Sequence, residues 1–359
     1  MTQLQENSLL SGDEVIRDLP MVSVIIPARN EEKFIETGIR AVLANNYPIN
    51  RLEVLVVDGM SEDRTPDIVA QLSQEDPRVR LVRNPRRITP AAFNEGVRNA
   101  RGDIVCIVGG HSTVSPDFVR LSVADLLDHP DVWAMGGACV PQYSSFVSQT
   151  IGEASCSPFG TGGARYHCRD HVCYVTDAIA GPVFWKWVFN KVGYFDEEMI
   201  RNQDVDMTDR IIAAGGKLLH DGRRIHYYSS RSSFQKLWRQ YWQYGFWRIR
   251  NMQKSGRITT ARQIVPMLFV GGWVVLILAT LLWRPAKHLL MAAGAAYLLL
   301  LLIGAAKIGR SAGFRHSLLA PLAFVILHFS YGLGCLHGIW TFCIRRRGDK
   351  PIEDQKSSR

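Results

Sequence analysis

The N-terminal part of the chain alternates short apolar runs with amphipathic segments. Residues 21–27 (MVSVIIP) and 52–57 (LEVLVV) are continuous apolar runs, which predicts two buried strands. Between them an amphipathic helix is predicted, with acids in its first turn and Pro48 after its end. Its apolar residues recur at helical spacing: Phe34, Ile35, Ile39, Val42 and Leu43.

The same alternation continues to residue 108. Residues 67–72 and 90–100 predict helices, and residues 79–82 and 103–108 predict strands. Strands alternating with helices predict an α/β fold with a doubly wound, mostly parallel sheet. Asp58 directly follows the second strand, at the edge where open α/β sheets bind ligands. Neither GxGxxG nor GxxxxGK[ST] occurs, which argues against a dinucleotide-binding fold and a phosphate-loop NTPase.

An acidic segment, residues 192–216, opens another predicted helix. Asp204 and Asp206 follow Asn202, a residue type common at helix N-caps, and Gly215 and Gly216 end the pattern. A carboxylate held at a helix start and facing a cleft is suited to act as a general base. The alternative interpretation is an acidic helix start stabilised only by the helix dipole.

Charge divides the chain into two parts, because no Asp or Glu occurs between Arg223 and Gly348. Three stretches there, residues 264–283, 289–306 and 317–344, are apolar enough and long enough to cross a bilayer of about 30 Å as helices. We therefore predict a tail at residues 1–20 and a cytoplasmic domain at 21–231. A transmembrane region at 263–344 and a basic tail at 345–359 follow. The N-terminus has no basic start and no continuous apolar core, so it is not expected to be a secretory signal.

Residues 232–262 join the two parts and combine aromatic residues with cations. One helical face, which predicts an amphipathic helix lying in the membrane interface, carries Phe234, Leu237, Trp238, Tyr241, Trp242, Gly245 and Ile249. Nucleic acid is a competing partner for such a segment, but the apolar stretches that follow argue against it. Residues 223–262 hold ten Lys or Arg, which places the first domain in the cytoplasm. Three crossings would then export Arg345, Arg346 and Arg347, against the same rule.

The seven cysteines are odd in number and scattered, so no disulfide framework is expected. The alternative is a structural zinc site, but its spacing fits none of the usual pairs. The residues of that alternative are Cys156, His167, Cys168, His171 and Cys173.

Several motifs, taken in order, resemble a known family. VSVIIPARNEE, VVDGMSEDRT, a buried strand ending in a short polar triplet, and NQDVDM are similar to family 2 glycosyltransferases, over about residues 20–250. SPFGTGGARYH and LWRQYWQYGFWR are similar to the branch of that family that acts in succinoglycan synthesis. The resemblance implies a nucleotide-sugar domain of the GT-A fold.

Roles follow from the resemblance position by position. It implies that Asp58 contacts the nucleotide base and that Asp204 is the catalytic aspartate. It further implies a donor pocket lined by Pro27, Asn30, Glu31 and Gly110.

The chain departs from the family at the Asp-x-Asp metal motif, which falls on Gly109, Gly110 and His111. Imidazole can bind Mn²⁺ but is a poor ligand for Mg²⁺, which prefers oxygen. We expect a divalent cation, Mn²⁺ or Mg²⁺, with His111 as its ligand. A histidine merely ordered on a loop, or a metal-independent variant, are the alternatives.

The acceptor is expected on the other side of the site. The GTGG segment could hold a phosphate through its backbone amides, or it could be a linker. We assign glycines of this segment and two residues of the amphipathic helix to the acceptor side: Gly160, Gly162, Gly163, Arg239 and Gln240. The hypothesis is an inverting, membrane-anchored transferase. It would move a hexose, with UDP as the implied carrier, to a lipid-linked saccharide in exopolysaccharide or envelope glycan synthesis. The alternatives are a non-catalytic nucleotide-sugar-binding module and a processive synthase, although QKLWR and QYGFW do not match QxxRW.

Overall fold

A nine-stranded sheet forms the centre of the catalytic part in a computed structural model that describes residues 19–163, 169, 171–176, 178–257 and 263–345. The strands are β1 Val22–Ala28, β2 Leu52–Asp58, β3 Val79–Arg83, β4 Ile104–Ile107, β5 Ser112–Val114, β6 Val132–Gln142, β7 Val172–Val175, β8 Ala180–Trp185 and β9 Lys217–Ser229. The helices of this part are α1 Ile35–Leu43, α2 Thr65–Glu75, α3 Thr89–Asn99, α4 Phe118–Asp128, α5 Phe146–Cys156, α6 Pro158–Thr161, α7 Trp187–Val192 and α8 Gln203–Ala213.

The strand order is β3-β2-β1-β4-β8-β6-β9-β5, with β7 paired to β9. The first four strands are parallel, as the alternating pattern predicted. The second half is mixed, because β8 runs antiparallel to both of its neighbours while β6 and β9 are parallel to each other. Three of these strands, β1, β2 and β4, are buried on both faces, which explains why they read as continuous apolar runs.

The parallel register brings three loops to one edge of the sheet. Ala28 pairs with Asp58 at the carboxyl ends of β1 and β2, and the Val108 amide donates to the Ile25 carbonyl. The segments that follow these strands therefore lie side by side. This is the edge at which the sequence places its donor-binding residues.

Three helices among the described residues are long and apolar enough to cross a membrane. They are α10 Val265–Leu282, α11 Pro285–Ala312 and α12 Phe314–Gly338, the last continuing as a π-helix over Ile339–Ile344. Their most apolar windows differ in burial, at 6%, 17% and 50%. The first two therefore offer apolar surface to lipid, whereas half of α12 is covered by protein.

The helix α9, Phe234–Ser255, supplies much of that cover. A Cβ on Gly245 would lie 2.1 Å from the Tyr331 carbonyl oxygen, and one on Gly334 would lie 2.1 Å from that of Trp242. The two helices therefore approach backbone to backbone. The sequence assigned the apolar side of α9 to the membrane interface. Trp242 and Ile249, on this side, belong to one apolar cluster with Cys335 of α12. The position of α9 relative to a bilayer stays a prediction.

Two buried carboxylates lie together where α4 meets β9. Asp221 accepts a hydrogen bond of 2.9 Å from Arg223, whose guanidinium lies 3.4 Å from Asp125. Burial, and then the hydrogen bond shared with Asp221, raise the pKa of Asp125 to about 7. A carboxyl whose pKa is higher in the folded protein than in the unfolded chain favours folding while it is protonated. Its contribution is therefore lost as pH rises from about 4 to about 7.

We expect Asp125→Asn to remove this pH dependence, because the amide keeps a donor for Asp221 and carries no charge. Relative to the parent, the variant should gain about 1 to 3 kcal/mol between pH 4 and pH 8. Thermal unfolding of the detergent-solubilised protein across that range measures the effect. Asp128→Asn, an exposed position on the same helix, is the matched control. Parallel curves for parent and Asp125→Asn would contradict the assignment.

Candidate functional site

A cleft of about 960 Å³ opens at the carboxyl edge of the parallel strands and extends to the membrane helices. At the sheet edge its wall includes residues that follow β1 and β4. At the far end its wall includes side chains of α9, α10, α11 and α12. One continuous space therefore joins the predicted donor site to the apolar helices.

The loops after β1 and β2 are held together by side-chain hydrogen bonds. The Asn30 amide donates to Ser61 Oγ at 2.8 Å, and Asn30 Oδ1 accepts from the Glu62 amide at 2.9 Å. Asp58 accepts from the Ser61 hydroxyl at 2.5 Å and from its amide at 3.1 Å. Neither Asn30 nor Asp58 belongs to the described wall of the cleft, and Asp58 is only 5% exposed. Their hydrogen bonds therefore fix the two loops against each other at the edge of the cleft.

Four other predicted residues do line the cleft: Pro27, Glu31, Gly110 and His111. Glu31 is buried, its amide donates to Thr65 Oγ1 at 2.8 Å, and its Oε1 lies 3.2 Å from His111 Nδ1. A Cβ on Gly110 would lie 2.8 Å from the Pro27 carbonyl oxygen. Only glycine lets the strand ends approach this closely, so the middle position of the triplet is a packing requirement.

His226 on β9 was missed in the sequence. It lines the same cleft, its Nδ1 lies 3.8 Å from Cys139 Sγ, and its buried Nε2 has no hydrogen-bond partner. Burial lowers the pKa of His226 to about 4, so its ring is neutral near pH 7. A lone histidine between Ile225 and Tyr227 reads as an ordinary strand residue, and only the pairing of β9 with β5 and β6 brings it to the site.

The described residues contain no group of three or more His, Cys, Asp or Glu that could hold a metal. Glu31 and His111 provide one carboxylate and one imidazole in contact, and His226 offers a neutral imidazole on the same wall. This donor set is suited to Mn²⁺ more than to Mg²⁺. A cation here would need further ligands from the bound donor. The proposed zinc cluster falls partly on residues 167 and 168, outside the described residues, and the six described cysteines form no disulfide.

Asp204 lies in the first turn of α8 and lines the cleft. The start of this helix is held by α9: Arg201 Nε donates to Gln243 Oε1 at 3.2 Å, and Asn202 Nδ2 donates to the Tyr244 carbonyl at 3.0 Å. Asn202 therefore does not cap the helix with its side chain, as its residue type suggested. It adopts a φ of 59° and anchors the turn to α9 instead.

The two acids of NQDVDM are separated by their surroundings. Asp206 is buried and forms an ion pair of 2.8 Å with Arg210, one turn further along α8. Asp204 is part of the cleft wall, and its Oδ1 accepts from the Val205 amide at 2.9 Å. Of these two acids, Asp204 is the one that lines the cleft at the sheet edge.

The residues predicted for the acceptor divide in the same way. Gly160, Gly162 and Gln240 line the cleft, whereas Gly163 and the exposed Arg239 are not part of its described wall. The GTGG segment, residues 160–163, was expected as a flexible loop. Its first two residues belong to the short helix α6, and the described residues are interrupted after residue 163.

Helix α6 is anchored to the membrane helix α12. The Phe159 ring lies 4.9 Å from that of Phe324, and its carbonyl is 2.8 Å from His328 Nε2. The residues that follow, 164–168, lie outside the described residues. This anchoring explains why the segment is ordered where its composition suggested flexibility.

Charge in the cleft favours anionic ligands. Among the described lining residues, only Glu31 and Asp204 are acidic. Five arginines share the wall with them: Arg29, Arg87, Arg201, Arg231 and Arg248. Guanidinium groups bind phosphate oxygens in a bidentate manner, so this balance is typical of a site for phosphorylated molecules.

Comparison with known proteins gives a consistent picture. Residues 23–153 match the sequence profile described as "Glycosyl transferase family 2". One relative is the Methanococcus voltae protein named dolichyl N-acetyl-alpha-D-glucosaminyl phosphate 3-beta-D-2,3-diacetamido-2,3-dideoxy-beta-D-glucuronosyltransferase. It is 28% identical over 230 residues, which cover 62% of this chain and 71% of that protein. Succinoglycan biosynthesis protein ExoA of Rhizobium meliloti (strain 1021) is 28% identical over 266 residues, covering 72% and 77%.

A solved structure shares the fold. The mannosyltransferase PcManGT from Pyrobaculum calidifontis, in complex with GDP-Man and Mn²⁺, superposes with a TM-score of 0.55 at 20% identity. The match covers 89% of this chain and 87% of that one. It shows the GT-A type of sheet that the sequence resemblance implied.

Proposed function

Because this chain is a family 2 glycosyltransferase of glycan or polysaccharide biosynthesis, we propose that it transfers a sugar from a nucleoside-diphosphate donor to a hydroxyl of a lipid-linked saccharide. The observation that carries the proposal is the single cleft. It contains Asp204, the Glu31–His111 pair and side chains of the three apolar helices α10, α11 and α12. A donor at the sheet edge and an acceptor that enters from the bilayer would meet beside Asp204.

The proposed reaction is a direct displacement. Asp204 takes the proton of the acceptor hydroxyl, the hydroxyl oxygen attacks the anomeric carbon, and the bond to the diphosphate breaks with inversion. Arg29 and Arg87, on the loops after β1 and β3, are placed to bind the departing diphosphate. His111 and Glu31 would hold a divalent cation, which would supply further positive charge for that leaving group.

The donor and the acceptor class rest on different observations. The related mannosyltransferase was solved with GDP-Man and Mn²⁺, which supports a sugar nucleotide as donor here. We propose a UDP-linked hexose, which the resemblance implies. The name of the Methanococcus relative describes a dolichyl phosphate-linked sugar as the acceptor, which supports a lipid-linked acceptor for this chain. Membrane attachment would also raise the local concentration of such an acceptor.

The test of this proposal is Asp204→Asn, which keeps the size of the side chain and removes its basicity. We expect turnover to fall by about 10² to 10⁴, with donor affinity nearly unchanged. Transfer of labelled sugar to lipid extracts and calorimetric donor titration measure the two quantities. Asp206→Asn is the matched control. Because Asp206 pairs with Arg210, its loss should lower stability without a comparable loss of turnover. Full activity of Asp204→Asn would remove Asp204 from the mechanism.

A second prediction concerns the cation. We expect activity to be higher with Mn²⁺ than with Mg²⁺, because an imidazole is a better ligand for the transition ion. His111→Ala should abolish the metal-dependent part of turnover. Gly109→Asp should raise metal affinity and relax the preference toward Mg²⁺, provided that Ser112 shifts, since its Oγ would lie 3.0 Å from the new Cβ. An unchanged metal response in His111→Ala would show that the ion is held by the diphosphate and another acid, such as Asp58.

We further propose that the chain lies in the cytoplasmic membrane, with its catalytic domain in the cytoplasm, where nucleotide sugars are available. The cations of residues 223–262 support this orientation. Two crossings, by α10 and α11, fit better than three. Helix α12 is half buried along α9, and α9 is bound to the catalytic domain through Arg250 and Glu198, 2.7 Å apart. Residues 345–359 would then stay in the cytoplasm, in agreement with the distribution of positive charge.

Reporter fusions test this topology. A fluorescent protein fused after Arg359 should be active, and alkaline phosphatase at the same place inactive, because the tail is expected on the cytoplasmic side. Insertion of either reporter between Trp283 and Arg284, at the turn between α10 and α11, should give the opposite pattern and is the control. An exported tail would require α12 to cross the membrane.

A further inference from the structure

The membrane end of the cleft has an apolar wall contributed by three helices. Helices α10, α11 and α12 each supply side chains to it: Pro266, Phe269, Tyr297, Leu300, Leu327 and Tyr331. The polar end of the same space holds Glu31, His111 and Asp204. A ligand that fills the cleft must therefore be polar at one end and apolar at the other.

Arg248 lies on α9 within this cleft and is unusual in its burial. It is 6% exposed, its Nε is buried without a hydrogen-bond partner, and Nη1 makes only a long contact of 3.5 Å with Asn251 Oδ1. A buried charge without a partner is strongly unfavourable, so a counter-charge is expected when the site is in use.

Among the described residues, no carboxylate forms an ion pair with Arg248, and the sequence has no acid between Arg223 and Gly348. Arg231, in the segment between β9 and α9, lines the same cleft, and its Nε donates to Gln240 Oε1 at 3.0 Å. A glutamine oxygen orients this guanidinium but does not neutralise it. Arg231 and Arg248 therefore present positive charge to the cleft that no described carboxylate neutralises.

We propose that Arg248, together with Arg231, binds the phosphate or diphosphate ester that joins the acceptor saccharide to its lipid, and that the lipid chain lies between α10, α11 and α12. This inference rests on the proposed function and adds the ligand subsite. In such a molecule the phosphate stands between the sugar and the hydrocarbon chain. Arg248 belongs to α9, and Arg231 lies in the segment that joins β9 to α9, so both lie where the catalytic part connects to the apolar wall.

The donor diphosphate is the competing ligand for these arginines. Arg29 and Arg87 already line the cleft on loops at the sheet edge, where a sugar nucleotide is expected to bind. A second set of cations beside an apolar wall is unnecessary for a soluble nucleotide. The order of surfaces along the cleft therefore favours a lipid phosphate at Arg248.

The first experiment compares Arg248→Gln with the parent, using the full chain in nanodiscs and a long-chain polyisoprenyl phosphate as the probe. We expect its affinity to fall by about tenfold or more, because a charge-assisted contact with phosphate is lost. Arg248→Lys should recover part of the affinity. Lys236→Gln removes an exposed cation from the same helix, outside the described wall, and should leave binding unchanged.

The second experiment tests the apolar wall. Leu300→Trp should fill the space between the helices and weaken binding of the lipid probe. Leu298→Trp, at an exposed position of α11 that is not part of the described wall, is the matched control. Donor affinity should be unchanged in all of these variants.

A parallel measurement replaces the polyisoprenyl phosphate with phosphatidic acid. The lipid that binds with the higher affinity identifies the source of the phosphate. Inorganic pyrophosphate, which lacks a chain, should bind much more weakly than either.

Three outcomes would overturn the subsite. They are equal lipid binding by the parent and Arg248→Gln, a loss of donor affinity that matches the loss of lipid affinity, or pyrophosphate binding as tight as that of both lipids. Transfer of sugar to some other acceptor would leave the glycosyltransferase proposal standing in these cases. Conversely, lipid binding that depends on Arg248 in a chain without sugar transfer would support the subsite and count against the proposed reaction.

Discussion

The structure depends on the close contact between α9 and α12. Gly245 and Gly334 let the two backbones meet, and a side chain at either position would collide with a carbonyl at 2.1 Å. Helix α9 in turn holds the start of α8 through Gln243 and the Tyr244 carbonyl. The turn that carries Asp204 is therefore fixed by an apolar helix packed on the far side of α9, so the membrane region is part of the scaffold of the site.

The distribution of charge supports the proposal that one cleft accepts two phosphorylated molecules. All acids lie before Arg223 or after Gly348, so the elements that connect to the membrane carry cations alone. Some of these cations pair with acids of the catalytic part, as Arg250 does with Glu198 at 2.7 Å. Others, such as Arg248, face the cleft unpaired. Ion pairs hold α9 in place, and the remaining positive charge is available to ligands.

The metal side of the site is less complete than the family pattern. Glu31 and His111 touch, and Gly110 is required by packing against Pro27, so an acid at the middle of that triplet would not fit without movement. The neutral His226 lies on the same wall, but among the described residues it does not form a three-ligand group with Glu31 and His111. Cation binding that is completed by the donor would couple the metal to the presence of substrate.

The sequence by itself determined the local elements and the classes of chemistry. Continuous apolar runs predicted the parallel strands, uncharged stretches predicted the apolar helices, and ordered motifs predicted the fold, while the role of Asp204 stays a prediction. Only the tertiary structure decided which polar groups meet. It buried Asp58 against Ser61, brought His226 and Arg248 to the cleft, and left Arg239 exposed. The physical reason is that periodicity reports which face of an element is buried, whereas strand pairing and helix contacts over long sequence separations decide what that face touches.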